Sequence, residues 1–322
     1  MPLRLFRNLI ASFLALVATG CTSSLYRTPS TATQAVITRT VLLPQMPSGS
    51  ALVRQKNTLY IISDDAPYMY SYTLSSGQTD SIWIQATNSR LHRMPWQTKL
   101  DFEAALTAPW QDKTYIFAFG SGSLPIYREW IGVYSPEKEL PQERHDARSL
   151  YAHLRQVANL PENAFNIEGA ARTPDGELIL LNRGRQQLFR MRWTDFTTWL
   201  TTRKLPPVTV QETPIPAEAA YTFSGTEPLD HNQLLFTASL EATKDASADG
   251  AIGGSALGIL EKGKPNRWQV KTFWPVLDAS GKVALEKIES AVPQPGDRTG
   301  RRFIALTDND DGQSKLLWIE LR

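Results

Sequence analysis

The segment Asp101–Ser123, DFEAALTAPWQDKTYIFAFGSGS, joins an acidic opening to two strand-like runs separated by a turn. A related segment, NIEGAARTPDGELILLNRG, begins at Asn166, and the third residue of each is a glutamate, Glu103 or Glu168. The runs are short, rich in aromatic and β-branched residues, and bounded by Gly, Asn and Asp, which is typical of β-strands. The two segments therefore predict a repeated antiparallel unit.

The unit recurs at intervals of about 60 residues, which is the signature of a repeat fold. Three further copies carry Glu227 (SGTEPLDHNQLLFTASLEAT, from Ser224), Glu289 (KIESAVPQPGDRTGRRFIALTDNDDG, from Lys287) and, in a degenerate first copy, Ser50. Four strands at this period fit one blade of a β-propeller. The sequence thus predicts an all-β chain of five four-stranded blades, in which Ala35–Leu43 supplies the outer strand of the last blade. Six blades is the alternative, if residues 135–165 hide strands.

Two short helical insertions interrupt this pattern. The first is expected to be capped by Asp146, with an apolar stripe formed by Ala147, Leu150, Tyr151, Leu154 and Val157. The second is expected to be capped by Thr194, with Phe196, Trp199 and Leu200 on its apolar face. Both faces are expected to pack on the flank of the propeller.

Propeller geometry places the opening of each first strand and the end of each second strand on one face of the molecule. We therefore expect four glutamates around one mouth of the channel: Glu103, Glu168, Glu227 and Glu289. The strand ends that share this face carry Asp64, Asn182, Arg183, Glu241 and Asp308.

Carboxylates that converge on one axis repel each other unless cations lie among them. One such cation is Ca²⁺, which takes carboxylate and carbonyl oxygens as ligands. The others are basic side chains within the same motifs: Lys99, Arg128, Arg183 and Lys287. The first alternative makes the mouth a candidate ion or ligand site, and the second makes it a salt-bridge ring that fixes blade register. No cofactor is certain from the sequence, and Ca²⁺ is the candidate.

Four motifs together carry a resemblance: KLDFEA from Lys99, GSGS from Gly120 with Arg128 behind it, NIEGA from Asn166, and NRG from Asn182. Their combination resembles a group of uncharacterised bacterial lipoprotein propellers, which are similar to the phytase-like β-propellers described as having esterase-like activity. The resemblance covers residues 35–322 and implies the propeller fold. It brings no defined substrate, because one fold hosts many functions.

The N-terminus has the three parts of an export signal. Arg4 and Arg7 form a positive region, an apolar run extends to Ala18, and small residues lead directly to Cys21. This arrangement resembles the lipobox of bacterial lipoproteins, in which the cysteine thiol takes a diacylglycerol and becomes the new N-terminus. Cys21 is the only cysteine of the chain, which favours a lipidation site over an ordinary secretory signal peptide.

The sequence thus divides into a signal peptide (residues 1–20), a lipidated cysteine with a Ser/Thr-rich tether (residues 21–34) and the propeller (residues 35–322). We expect an exported, lipid-anchored protein, and the outer membrane is favoured because Thr22, not Asp, follows Cys21. Removing residues 1–20 lowers the formal net charge from +2 to zero. A basic surface for nucleic acid is therefore not expected. The expected partners are the membrane, through the lipid, and an unknown protein or small-molecule ligand.

The sequence contains no GxSxG, HExxH, CxxC or Walker motif, so it gives no support to the common hydrolase, zinc and nucleotide-binding classes. Two functions remain after these exclusions. The first is that of a binding or scaffolding module that recognises a partner through the channel face. The alternative is a metal-dependent hydrolase of a phosphate or carboxylic ester, in which Ca²⁺ lies among the glutamates and Arg183 or Arg128 orients the anion. The sequence does not decide whether the protein is an enzyme and names no catalytic residue.

Overall fold

The computed structural model describes residues 32–84, 93–137, 142–217, 220–241 and 250–322. The predicted signal peptide, most of the tether and Cys21 lie outside the described residues. No helix in the described ranges is long and apolar enough to cross a bilayer.

The described chain is built mainly of four-stranded antiparallel sheets. An N-terminal strand, β1 (Ala35–Leu43), precedes the first sheet. That sheet consists of β2 (Gly49–Gln55), β3 (Thr58–Ser63), β4 (Tyr68–Thr73) and β5 (Thr79–Trp83). The second consists of β6 (Phe102–Trp110), β7 (Lys113–Gly120), β8 (Trp130–Tyr134) and β9 (Glu143–Asp146). The third consists of β10 (Ile167–Arg172), β11 (Glu177–Asn182), β12 (Gln187–Arg192) and β13 (Thr209–Glu212).

The remaining strands join β1 in one eight-stranded sheet. They are β14 (Thr222–Pro228), β15 (Gln233–Glu241), β16 (Ile252–Gly263), β17 (Arg267–Leu277), β18 (Ile288–Pro293), β19 (Arg302–Asp308) and β20 (Ser314–Leu321). The strand order is β14-β15-β16-β17-β1-β20-β19-β18. Along its length β1 pairs antiparallel with β20, whereas it meets β17 in parallel at only two positions, Ala35 with Val276 and Val36 with Leu277. The N-terminal strand therefore completes the C-terminal sheet, as its sequence predicts.

The first strands of the sheets contact one another in a closed circle. Neighbours in this circle are β2 and β6, β6 and β10, β10 and β14, β14 and β18, and finally β18 and β2. Apolar side chains fill the spaces between adjacent sheets, so each sheet is covered on both faces. This arrangement is a β-propeller, and it places the starts of all first strands around one mouth of a central channel.

Both predicted helices are present, and they flank the second and third sheets. The first, α1 (Arg148–Ala158), follows Ala147 as its N-cap, and Asp146 lies one residue earlier, where its carboxylate accepts a 3.0 Å bond from the Arg148 amide. The second, α2 (Trp193–Thr202), begins one residue before Thr194, which is therefore not its cap. Both capping predictions were wrong, by one residue for Asp146 and by two for Thr194, because the N-caps are Ala147 and Arg192.

The apolar faces of the helices are mostly as expected. Leu150, Tyr151 and Leu154 of α1 are buried, as are Phe196, Trp199 and Leu200 of α2, whereas Val157 is exposed. These buried side chains join the core between the second and third sheets. Residues 135–165 contribute β9 and α1, and their described part adds no further sheet.

Candidate functional site

Each first strand carries a β-bulge near its start. The register of pairing shifts across one residue in every case, and the shifted residues are Ser50, Glu103, Glu168, Ser224 and Glu289. A bulge leaves one residue outside the regular pairing and re-aims its side chain. Here it turns three glutamates, Glu103, Glu168 and Glu289, to the lining of a cavity of about 100 Å³ at the channel mouth.

Glu227 does not belong to this group, so its predicted place at the mouth is wrong. The bulge residue of β14 is Ser224, three residues earlier, and its hydroxyl donates a 2.7 Å bond to the Ile288 carbonyl. Glu227 lies near the end of β14 and lines a separate cavity with Arg54 and Arg172. The repeated glutamate of the sequence was thus aligned out of register in this one sheet.

The described lining of the mouth is almost entirely polar and unevenly charged. Seven carboxylates line it: Asp64, Asp101, Glu103, Glu168, Glu289, Asp308 and Asp310. Four cationic side chains accompany them: Lys99, Arg128, Arg183 and Lys287. The mouth therefore holds basic groups of the predicted salt-bridge ring, but too few to match its carboxylates one for one.

One group of contacts is centred on Arg183. Its Nη2 donates to Glu241 Oε1 at 2.6 Å, and its Nη1 lies 3.4 Å from Glu168 Oε1. Asn166 completes the surroundings of Glu168 with a 2.7 Å bond from its amide to the same oxygen. Asn182 does not line the cavity, because its side chain is buried and bonds the backbone of Asn166 and of Ala164. Asn182 is thus a positioning residue for Asn166.

Lys287 is the centre of a second group of contacts. Its Nζ lies 3.3 Å from Glu289, 3.7 Å from Glu241 and 3.9 Å from Asp310. Asp308, the last residue of β19, accepts a 3.0 Å bond from the Asp310 amide and thereby shapes this loop at the cavity wall. The three buried glutamates of this sector, Glu168, Glu241 and Glu289, therefore share two cations, Arg183 and Lys287.

The third group of contacts surrounds Asp101. Its Oδ1 lies 2.8 Å from Lys99, and its Oδ2 lies 3.1 Å from Arg128 and accepts a bond from the Ser121 hydroxyl. Lys99 also pairs with Asp64. Two cations and a hydroxyl thus converge on Asp101, which is almost completely buried.

Glu103 is the exception among the three bulge glutamates. Within the described chain it makes no hydrogen bond or ion pair, although carboxylate oxygens of Asp64, Asp101 and Glu103 lie within 4.8 Å of one another. The residue two positions before each bulge explains the difference. Asn166 donates to Glu168 and Lys287 pairs with Glu289, but the equivalent residue before Glu103 is the acid Asp101.

The pKa values follow from burial and from this uneven charge. Burial raises the pKa of Glu103 well above its ordinary value, and Asp101, Asp64 and Glu168 raise it further, while Lys99 opposes the shift. Burial also raises the pKa of Asp64 and of Glu168 to about 7, against the opposing effect of Lys99 and Arg183 respectively. The mouth therefore contains carboxyl groups that take up protons easily, and a bound cation would favour their ionised form.

The pKa values of the other charged groups at the mouth are also shifted by burial and by their neighbours. Burial raises the pKa of Glu289, which Lys287 opposes, and raises the pKa of Asp308 to about 6. Burial alone would lower the pKa of Lys99 and of Arg183, but the carboxylates around each outweigh it and raise the pKa above its ordinary value. Both cations therefore stay charged, and the carboxyl groups are the ones that respond to pH.

Arg128 provides hydrogen-bond donors beside this acidic cluster. It is 5% exposed, and its Nη1 donates to Ser123 at 2.8 Å. Its Nε and Nη2 are buried and have no hydrogen-bond partner among the described residues. The guanidinium lies 4.9 Å from the ring centre of Trp96, which is 61% exposed at the rim. A displaced Trp96 would uncover donors for an oxygen-bearing group.

The GSGS loop that holds Ser121 and Ser123 depends on glycine. Gly122 has a φ of +70°, and a Cβ at this position would lie 2.5 Å from the Phe165 ring and 2.7 Å from Tyr151. The loop therefore approaches α1 and its neighbours more closely than a larger residue allows.

Sequence reasoning singled out neither Trp96 nor Asp101. Asp101 opens the quoted motif, and a comparison of the residues two positions before each glutamate would have revealed it. Trp96 precedes the repeat unit and belongs to no shared motif, so only the fold brings it to the rim.

A larger cavity of about 610 Å³ lies at the edge of the first sheet. Its described lining includes Met46, Tyr68 and Tyr70, with Asp80 and Arg93 as the charged residues. Arg93 is engaged with Asp65 at 2.7 Å. The concentration of titratable groups therefore distinguishes the channel mouth, although its cavity is smaller.

Comparison with known proteins gives a family but no activity. Residues 45–321 match a family of unknown function (DUF6929). No curated protein matches the sequence. Among solved structures, the chain is similar to the glutaminyl cyclase of Myxococcus xanthus, with 10% identity, a TM-score of 0.47, and 90% of this chain and 99% of that chain covered.

Two further structures are similar at a lower TM-score. The calcium-binding protein regucalcin of Agrobacterium tumefaciens shows 10% identity and a TM-score of 0.41, with 90% of this chain and 97% of that chain covered. The WD40 repeats of RRP9 show 9% identity and a TM-score of 0.41, with 90% and 100% covered. Similarities this low carry no information about the ligand of the present chain.

Proposed function

We propose that this chain, which belongs to the family of unknown function DUF6929, is a binding module whose channel mouth takes a small polar ligand bearing positive charge. The observation that carries the proposal is Glu103. It faces the cavity with no ion pair within 4.0 Å in the described chain, beside two further carboxylates of Asp64 and Asp101. Lys99 already compensates those two, so Glu103 is the group left to attract an incoming cation.

The balance of charge at the mouth supports the same assignment. The described lining holds seven carboxylates and four cations, so a further positive charge would relieve repulsion among the acids. Ca²⁺ is the candidate ion, because a hard cation prefers oxygen ligands and the mouth supplies carboxylates, serine hydroxyls and an asparagine. A ligand with a protonated primary amine is the alternative to Ca²⁺ as the source of this positive charge.

Arg128 adds a requirement on the ligand. Its unpaired Nε and Nη2 are donors, so they favour an occupant that also presents an oxygen. A Ca²⁺ ion that carries a phosphate or carboxylate group meets both conditions, as does a compact amine with a carboxylate. Trp96 lies over the guanidinium and would have to move for that contact.

The number of blades and the cellular location are part of the proposal. The eight-stranded sheet divides into two blades at the two-residue contact between β1 and β17, which gives five four-stranded blades in all. Export and lipidation at Cys21 would place this module at a membrane surface, most favourably the outer membrane, with the channel mouth available to a periplasmic or cell-surface ligand.

A second candidate function is the Ca²⁺-dependent hydrolysis of a phosphate or carboxylic ester. The specific observation that favours it is the position of the free Arg128 donors beside the acidic cluster, since an arginine can orient an ester oxygen. Such an enzyme would need an activated water, which a bound metal ion can supply. The hydroxyls of Ser121 and Ser123 are both engaged with Asp101 and with each other.

Calorimetric titration of the purified protein with CaCl₂, followed by a phosphate monoester in the presence of Ca²⁺, tests the binding function. We expect Ca²⁺ to bind the wild type and Glu227→Gln alike and to bind Glu103→Gln at least about tenfold more weakly. Release of the free alcohol or phosphate during the second titration would favour the hydrolase. Absence of any heat from Ca²⁺ and from a simple amine would overturn both.

A further inference from the structure

A second charged cavity lies at the end of the channel opposite Glu103. It has a volume of about 40 Å³, and its polar lining consists of Arg54, Thr107, Arg172 and Glu227. Val53, Leu106 and Pro228 complete the wall. This cavity shares no described lining residue with the mouth described above.

The repeat itself brings these side chains together. Arg54, Thr107 and Arg172 each lie four residues after the bulge of their strand, and their strands β2, β6 and β10 are neighbours in the ring. Equivalent positions of adjacent first strands lie at one level of the channel. The ring arrangement of first strands therefore places acidic side chains together at one end of the channel and basic side chains together at the other.

Hydrogen-bond donors remain unpaired at this level. Arg54 Nε, Thr107 Oγ1 and Arg172 Nε are buried and have no hydrogen-bond partner in the described ranges. The contacts of the two arginines with described residues leave most of each guanidinium without a partner there: Arg54 Nη1 donates to the Lys56 carbonyl at 3.0 Å, and the Arg172 guanidinium lies 5.8 Å from the Trp193 ring centre. Buried donors without acceptors are unfavourable, so a ligand that accepts from them would be stabilised.

The charge of the cavity is positive. Two guanidinium groups face one carboxyl group, and no ion pair within 4.0 Å joins Glu227 to either arginine in the described chain. Burial raises the pKa of Glu227 to about 8, although Arg54 opposes this shift. Near neutral pH, Glu227 is therefore mainly an uncharged acid that can donate a hydrogen bond as well as accept one.

We propose that this lower cavity is a binding site for a small oxyanion, either inorganic phosphate or the carboxylate of a small organic acid. Two guanidinium groups provide planar, charged donors that match such oxygens, and the Thr107 hydroxyl and the neutral Glu227 carboxyl supply further donors. The small volume favours the head of an anion over an extended ligand. The site is independent of the cation proposed for the opposite mouth.

Thermal unfolding of the purified protein in phosphate, acetate or chloride at equal ionic strength tests this assignment. We expect phosphate or acetate to raise Tm above its value in chloride, and the more effective of the two identifies the kind of oxyanion. By calorimetry, Arg54→Gln and Arg172→Gln should each weaken binding of that anion by at least about tenfold. Glu227→Gln should keep or strengthen it, since it fixes the neutral form of the acid.

Two controls separate this effect from general electrostatics. Arg302→Gln removes an exposed arginine that does not line the cavity and should leave anion binding unchanged, as should Glu103→Gln at the opposite mouth. Thr107→Val provides a test that changes no charge, should an arginine variant fail to fold. Equal Tm in all three anions, or equal binding by wild type, Arg54→Gln and Thr107→Val, would overturn the proposal.

Discussion

Arg183 donates a 2.6 Å hydrogen bond to Glu241, and this bond joins the end of β11 to the end of β15 in the neighbouring sheet. The two side chains are 9% and 1% exposed, so the pair is shielded from solvent. Ser239 donates a second bond, of 3.1 Å, to the same Glu241 oxygen. Glu241 is not part of the described cavity lining, and it thus acts on the mouth by holding Arg183, which is part of it.

Replacing Glu241 by glutamine should destabilise the protein by about 3 kcal/mol, because it leaves Arg183 and Lys287 with one buried carboxylate fewer. Glu168→Gln should cost less, about 1–2 kcal/mol, since its contact with Arg183 is longer and its pKa is already raised to about 7. Urea unfolding of both variants measures the difference. An equal or reversed order would show that Glu241 is not the main partner of Arg183.

Removal of β1 should destabilise the whole molecule instead of fraying one end. This strand pairs with β20 along its length and meets β17, so it links the two halves of the eight-stranded sheet. A chain that begins at residue 45 should therefore unfold in one transition at a lower Tm. An unchanged Tm would contradict the role of β1, and a second, separate transition would show that only the last sheet depends on it.

Stability should fall as pH rises from about 4.5 to about 8. Glu227 has an ordinary pKa of 4.5, and burial raises its pKa to about 8 in the folded protein. Between these two pKa values the folded state binds more protons than the unfolded state. The stabilisation by Glu227 is therefore fully present below about pH 4.5 and is lost as the pH rises through about 8. Other buried acids, such as Asp64, act in the same direction.

The contribution of Glu227 can be isolated by comparing pH profiles. Glu227→Gln should show a flatter decrease of Tm across this range than the wild type, because glutamine does not titrate. A profile parallel to that of the wild type would show that the pKa of Glu227 is not raised.

Cys21→Ser should abolish lipidation and leave an unprocessed or soluble product, since the diacylglycerol attaches through the thiol. Metabolic labelling with palmitate and partition into detergent measure this outcome. Labelling of the serine variant at the level of the wild type would contradict the lipobox, and export of the wild type without label would indicate an ordinary signal peptide.

Much of the fold is readable in the sequence because each repeat unit keeps its strand pattern. The predicted outer strand Ala35–Leu43 has those bounds and joins β20, and the aromatic runs Tyr68–Thr73 and Trp130–Tyr134 form β4 and β8. The short strand β9 escaped notice, since Glu143–Asp146 is entirely charged or polar and has no apolar alternation.

The site was harder to predict because a bulge breaks the period on which a sequence pattern depends. Glu103, Glu168 and Glu289 are themselves the bulge residues and were aligned correctly, whereas Glu227 lies three residues after the bulge residue of its strand, Ser224. Glycine and serine around Ser224 gave a plausible but shifted alignment. The pairing of Lys99 with Asp101, and the unpaired state of Glu103 in the described chain, depend on side-chain positions that one sequence does not specify.

The most direct test of the cation-binding mouth is a set of melting curves with Ca²⁺ and with chelator for the wild type, Glu103→Gln and Glu227→Gln. At about a hundred times its dissociation constant, Ca²⁺ should stabilise the wild type and Glu227→Gln by about 2.7 kcal/mol. Glu103→Gln should lose most of this gain, and its stability in chelator should rise because glutamine removes an ionisable group that burial and the neighbouring Asp101 and Asp64 disfavour in its charged form. A wild-type curve indifferent to Ca²⁺, or an equal gain in Glu103→Gln, would contradict a Ca²⁺ site at Glu103.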